Sequence, residues 1–292
     1  MALNREQTLE REQRGARVAG VAAIAAAPFY IVSVVLDQGG AVPLAGVETE
    51  RYRAIDGAAT DLLLSVVLRS VAFFLLLFPL LYLFRAAQAR SARVSAPMVG
   101  FVFIGPILLA AQGVFAWIAQ TSVASDFVAQ SGAGGDIYTL LDDLAENSVA
   151  FDIAQNLLFP ALLGLIVVMV YVPLQALRVG LLTRFFATLG MALGASALFI
   201  VPAISLLALM LWFGWLGLTI LDKMRKGRPP AWDAGVAMPW PKPGEQAQPV
   251  PATAAGPDVV EGDATELFEP GDSRDHSARR ERAKKKKRKR RR

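Results

Sequence analysis

The chain contains no cysteine, and its single histidine is His276, close to the C-terminus. The first absence excludes disulfides, thiolate metal ligands and thiol nucleophiles. The second leaves everything before residue 276 without an imidazole to hold haem or zinc or to serve as a general base. No H-E-x-x-H pattern is present, no pair of aspartates falls inside an apolar run, and no nucleophile stands beside a base. Gly132, Gly134 and Gly135 lack dinucleotide-motif spacing and read as a flexible loop. The sequence therefore offers no catalytic residue, no metal site and no cofactor, and the expectation is a protein that is not an enzyme.

Charge is scarce as well. Charged residues make up 19% of the 292 positions, hydrophobic ones 54%, and the mean hydropathy is +0.42. Ordinary soluble domains stay near 45 to 50% apolar, so the excess must face lipid. Crossing a bilayer takes about 20 apolar residues in a helix. Runs of that kind lie at 16–36, 62–84, 97–119 and 148–172. A further stretch, 185–221, carries no charge and would measure about 55 Å as one helix, too long for a hydrocarbon core of about 30 Å. Pro202 near its middle cannot donate a backbone hydrogen bond. Two short spans, 185–203 and 205–221, fit better, with one long kinked helix as the alternative. The expected fold is all-α, a polytopic transmembrane bundle of about six spans.

Lys and Arg in short loops mark the cytoplasmic side. The N-terminus carries Arg5, Arg11, Arg14 and Arg17, the loop after the second run Arg85, Arg90 and Arg93, and the loop after the fourth Arg178 and Arg184. The loop 120–147 has no basic residue and five acidic ones, Asp126, Asp136, Asp142, Asp143 and Glu146. The first outer loop, with Arg51 and Arg53, fits less well. Both termini are expected inside. Ile137, Leu140, Leu141 and Leu144 fall at helical spacing between those acids and predict a short amphipathic helix.

Polar residues inside spans are costly and point to function or to helix–helix contact. Arg69 in the second run, Gln112 in the third, and Asp152, Gln155 and Asn156 in the fourth all lie about 6 to 12 Å from the same boundary at helical rise. The expectation is an Arg69–Asp152 ion pair completed by Gln112, Gln155 and Asn156. Helix–helix packing is the favoured account of such a cluster, ahead of a ligand or ion site, with Arg69 snorkelling outward as the third.

From residue 222 the composition changes. Residues 222–292 hold 9 of the 17 prolines, acids gather between Asp258 and Asp275, and hydrophobic periodicity vanishes. Such a segment is expected to be a disordered cytoplasmic tail. Arg279–Arg292 has twelve basic residues and one Glu, so the rest of the chain is acidic although the whole carries +5. Lys284, Lys285, Lys286, Lys287, Arg288, Lys289 and Arg290 are expected to contact anionic lipid headgroups, each contributing about 1 kcal/mol near a surface. Phosphate contact with nucleic acid is physically open, but no aromatic residue interleaves the charges for stacking.

Gly227-Arg-Pro-Pro-Ala-Trp-Asp-Ala-Gly235, followed by Pro239-Trp-Pro241, resembles the post-membrane segment of actinobacterial multi-span proteins that have a Pro-rich, basic tail. The general layout over residues 16–245 is similar too. The resemblance implies a bacterial plasma membrane and no particular activity. Three function classes follow. The first is a non-enzymatic protein that organises membrane or binds a partner, whether another membrane protein or a second copy of itself. The second is a small permease or ligand sensor using the polar cluster. The third is an intramembrane enzyme, which the missing motifs disfavour.

Overall fold

The computed structural model describes residues 5–39, 48–131, 137–199, 202–224 and 227–240. All of these belong to a compact unit that ends at Trp240. Within hydrocarbon every backbone N–H and C=O must be satisfied inside the protein, and runs this apolar can do so only as helices or a closed barrel. The described residues are helical, without strands. The order is α1 (Arg5–Gly39), α2 (Glu48–Gly57), α3 (Ala59–Arg90), α4 (Val99–Gln130), α5 (Ile137–Glu146), α6 (Val149–Arg178), α7 (Arg184–Phe199), α8 (Pro202–Ile220) and the single turn α9 (Ala231–Ala234).

Among the described residues four helices, α1, α3, α4 and α6, are long and apolar enough to cross a membrane. Their most apolar stretches are at most 44% buried, so most of that surface faces outward. Val18, Val67, Phe74, Phe103 and Phe159 are examples, each more than a third exposed. An apolar exterior this extensive suits lipid and not water. Pro28, Pro79, Pro106 and Pro160 lie inside these four helices, and Pro173 lies in α6 with Pro160.

The stretch 185–221 divides into α7 and α8 and is not one kinked helix. Pro202 stands at the first position of α8, where its missing N–H costs nothing. The two pack antiparallel: the Ser205 hydroxyl donates to Ser196 O at 3.3 Å, and Trp212 stacks on Phe186 at 4.8 Å between ring centroids. At 16 and 19 residues they measure about 24 and 28 Å. Both are therefore slightly short of a hydrocarbon core of about 30 Å.

Small residues set the helix crossings, as expected where lipid removes most of the hydrophobic drive between helices. A Cβ on Gly105 of α4 would lie 2.6 Å from the backbone N of Leu165 in α6, and Gly164 of α6 faces Gly105 in return. On the opposite side of the bundle, a Cβ on Gly217 of α8 would lie 2.6 Å from Gly20 O of α1. Helices α1 and α3 run antiparallel along a seam where Ala19, Ala26 and Tyr30 meet Phe73, Leu76, Leu80 and Leu83. At one end of the bundle α2 lies on α3 and α4, with Ile55 buried against Leu62 and Ala124. In α5, the expected amphipathic helix, Leu141 is buried while Asp142 and Asp143 are exposed.

One boundary differs from the sequence reading. The tail was expected to begin at residue 222, yet residues 227–240 are folded against the bundle. They lack hydrophobic periodicity because they dock by hydrogen bonds and two indole rings, not by an apolar face.

Candidate functional site at the basic end of the bundle

A helix leaves its last carbonyls without intrahelical donors. Helix α6 ends at Arg178, and the turn 179–183 that follows has to satisfy buried carbonyls some other way. Residues 227–240 supply the donors. The Met238 N–H donates to Val179 O at 3.0 Å, Trp232 Nε1 to Leu181 O at 2.9 Å and Trp240 Nε1 to Leu182 O at 2.8 Å. Gly180 adopts φ +80°, a conformation that favours glycine, and a Cβ there would strike Met238 O. This strap closes on itself through an Arg228–Asp233 ion pair and turns at Gly235, φ +67°.

The same strap reaches two other helices through Arg90, the last residue of α3. Its side chain is fully buried. A guanidinium has five N–H donors in a fixed fork, and here they are shared among Glu12 of α1, Ala86 O and Ala231 O. Nη1 meets Glu12 Oε1 and also Ala86 O at 3.0 Å. Nη2 reaches Glu12 Oε2 and Ala231 O, both at 3.0 Å, and Nε reaches Ala231 O at 3.3 Å. The group lies 5.8 Å from the Trp232 ring centroid, a cation–π distance. Tyr82 stacks on that ring at 5.7 Å and donates its hydroxyl to Glu12 O at 3.3 Å. Glu12, Tyr82, Arg90 and Trp232 thus form a polar clamp joining α1, α3, the strap and the α6–α7 turn. Two cavities flank it: one of about 210 Å³ between α1 and α3, and one of about 500 Å³ between α1, the end of α8 and the strap.

The sequence reading of the intramembrane cluster needs correction. Arg69 forms its ion pair with Asp37 of α1 and not with Asp152. Ser65, one turn before Arg69 on α3, donates to Asp37 Oδ1 at 3.2 Å and Ser33 O at 3.0 Å. The apolar run stops at Leu36, but the helix continues to Gly39 and places Asp37 on α1. Asp152, Gln155 and Asn156 are exposed on α6, and the Asn156 amide bonds back to Asp152 O at 2.8 Å. Gln112 is half-buried. Among the described residues no hydrogen bond or ion pair connects these four to Arg69. The permease or sensor reading loses the assembly on which it rested. Lys284–Arg290 lie outside the described residues.

The Asp37–Arg69 pair is partly exposed, 33% and 27% by side chain. Contacts of this kind contribute modestly, about 0.6 kcal/mol on average between membrane helices. Asp37→Ala is therefore expected to lower the unfolding free energy in detergent by about 1 kcal/mol. Asp152→Ala should change it by less than about 0.5 kcal/mol. The reverse order in denaturant titrations would return the pair to Asp152.

Sequence reasoning missed Glu12, Arg90 and Trp232. Two of the five tryptophans, Trp232 and Trp240, stand in the segment read as solvated tail, and that was the available signal. No group of His, Asp or Glu among the described residues could hold a metal ion. The clamp contains no nucleophile with a base beside it. Its chemistry is that of a fastening. Comparison with protein-family models, curated proteins and solved structures finds no match to this chain.

Proposed function

We propose that the chain is a non-enzymatic, multi-span protein of a bacterial plasma membrane that organises membrane or partner proteins from its basic end. The observation that carries this reading is the strap. It fastens residues 227–240 to the end of the bundle where α1 begins and where α3 and α6 finish. That end gathers Arg11, Arg85, Arg93, Arg178 and Arg184, while the end of α4 carries Asp126 and α5 carries Asp142, Asp143 and Glu146. The positive-inside rule then favours both termini in the cytoplasm. The basic block Arg279–Arg292 carries twelve basic residues and is suited to anionic headgroups.

The test is capture of vesicles. Full-length protein in discs of zwitterionic lipid should capture vesicles rich in phosphatidylglycerol and not vesicles of phosphatidylcholine. Deleting residues 279–292 should reduce capture at least about tenfold, since each near-surface basic residue contributes about 1 kcal/mol. Raising salt to about 1 M, where the screening length falls to about 3 Å, should have the same effect. Undiminished capture by the shortened protein would remove the tail from the function.

A further inference from the structure

We propose that the groove between α1 and α3 at the basic end is a binding site for one anionic phospholipid, distinct from the contacts of the C-terminal block. The inference rests on the membrane reading above, in which this end meets the inner leaflet.

The helix register makes the groove. On α1, Arg11, Gly15 and Val18 follow one another at steps of four and three residues, so they share a face. On α3, Phe78, Tyr82, Arg85 and Ala89 do the same. Small residues, Gly15 and Ala19 on one side and Ala86 and Ala89 on the other, keep the floor low and leave about 210 Å³ open. A Cβ on Gly15 would already come within 3.2 Å of the Tyr82 ring.

The charge at the mouth is uncompensated. Arg11 and Arg85 both line the groove and are exposed, and among the described residues neither makes a hydrogen bond or ion pair. Glu12, the acid in the lining, is already committed to Arg90. Two guanidinium groups without an anion are a ready partner for phosphate oxygens, which they can bind bidentately.

Below the arginines the surface turns apolar and stays so. Val18 and Phe78 form the rims, 57% and 48% exposed. Val21 on α1, with Phe74 and Val71 on α3, continues the strip toward the middle of the bundle, all more than a third exposed. A free phosphate or phosphorylated metabolite would use the mouth and leave this strip bare. A phospholipid uses both, with its headgroup between Arg11 and Arg85 and an acyl chain along the strip.

Native mass spectrometry of the purified full-length chain, titrated with phosphatidylglycerol or phosphatidylcholine in detergent, tests the site. The wild type should retain one phosphatidylglycerol at activation energies that strip phosphatidylcholine. Arg11→Gln with Arg85→Gln should weaken that retention about 25-fold, roughly fivefold for each arginine. Ala89→Trp leaves the charge unchanged, fills the groove, and should abolish retention of that lipid. Arg93→Gln, an exposed charge outside the groove, should leave retention intact. Equal loss in Arg93→Gln, or a lipid retained by Ala89→Trp, would reduce the effect to general surface charge and overturn the proposal. Competition by glycerol phosphate as strong as by the lipid would overturn it in favour of a free-phosphate site. Vesicle capture separates the two readings: the groove variants should keep it, and deletion of 279–292 should lose it while retaining the groove lipid.

Discussion

Arg90→Ala is expected to cost about 3 to 5 kcal/mol of unfolding free energy. The side chain is fully buried and Glu12 is only 11% exposed, so removing the guanidinium leaves a carboxylate with little access to water. Two backbone acceptors, Ala86 O and Ala231 O, lose charged donors at the same time. Glu12→Gln should cost less, because the amide oxygen still accepts one bond while the second position offers a donor to a donor. Arg90→Lys should resemble the alanine variant more than the wild type. An ammonium on a flexible stem cannot meet both oxygens of Glu12 and Ala231 O in the planar fork that Arg90 uses. A double exchange to apolar residues of similar size, Glu12→Leu with Arg90→Met, should recover much of the loss, because a buried pair is often no better than the hydrocarbon that replaces it. Denaturant titration in detergent, followed by tryptophan fluorescence, reads all four. If Arg90→Ala unfolds within 1 kcal/mol of the wild type, the clamp does not hold the bundle together.

That clamp was hard to read from the sequence, while the helices around it were not. The division of 185–221 followed from length together with Pro202, since no single helix of that span fits a bilayer and Pro202 offered the break. Arg69 stood out because a charge inside an apolar run is expensive wherever it lies. Its partner was misassigned for a physical reason. The end of an apolar run was treated as the end of a helix, yet α1 continues to Gly39 and α4 to Gln130, well past their apolar stretches. Asp37 therefore sits on a helix facing Ser65 and Arg69, while Asp152 lies in the first turn of α6. Glu12, at the other end of α1, lies before the apolar run and drew no notice, though its side chain is nearly buried. The strap was invisible to periodicity because its docking is carried by donors aimed at the carbonyls of a turn, and nothing in the spacing of residues 227–240 encodes where those carbonyls are.

Trp232→Ala should separate the strap from the bundle without unfolding it. The indole is 2% exposed, and truncating a tryptophan so placed costs about 3 to 5 kcal/mol. Stacking on Tyr82 and the bond to Leu181 O are lost with it. That energy is not spread over the whole fold. The strap meets the bundle through a few contacts at one end, so it can open as a local unit while α1, α3, α6 and α8 stay packed. The Met238 amide, bonded to Val179 O, reports that opening. Its hydrogen exchange should accelerate by about two to nearly four orders of magnitude, the factor that corresponds to about 3 to 5 kcal/mol. Amides in the middle of α3 and α6 should be almost unaffected. Trp232→Phe keeps a stacking ring but leaves Leu181 O without its donor, and should show a smaller acceleration, about tenfold. Arg90→Ala, in contrast, should accelerate exchange both at Met238 and along the α1–α3 seam, because Arg90 ties the strap and α1 to the same residue. If Trp232→Ala melts the seam as well, the strap is part of the bundle's cooperative core; if it frees Met238 alone, the strap is a detachable fastening.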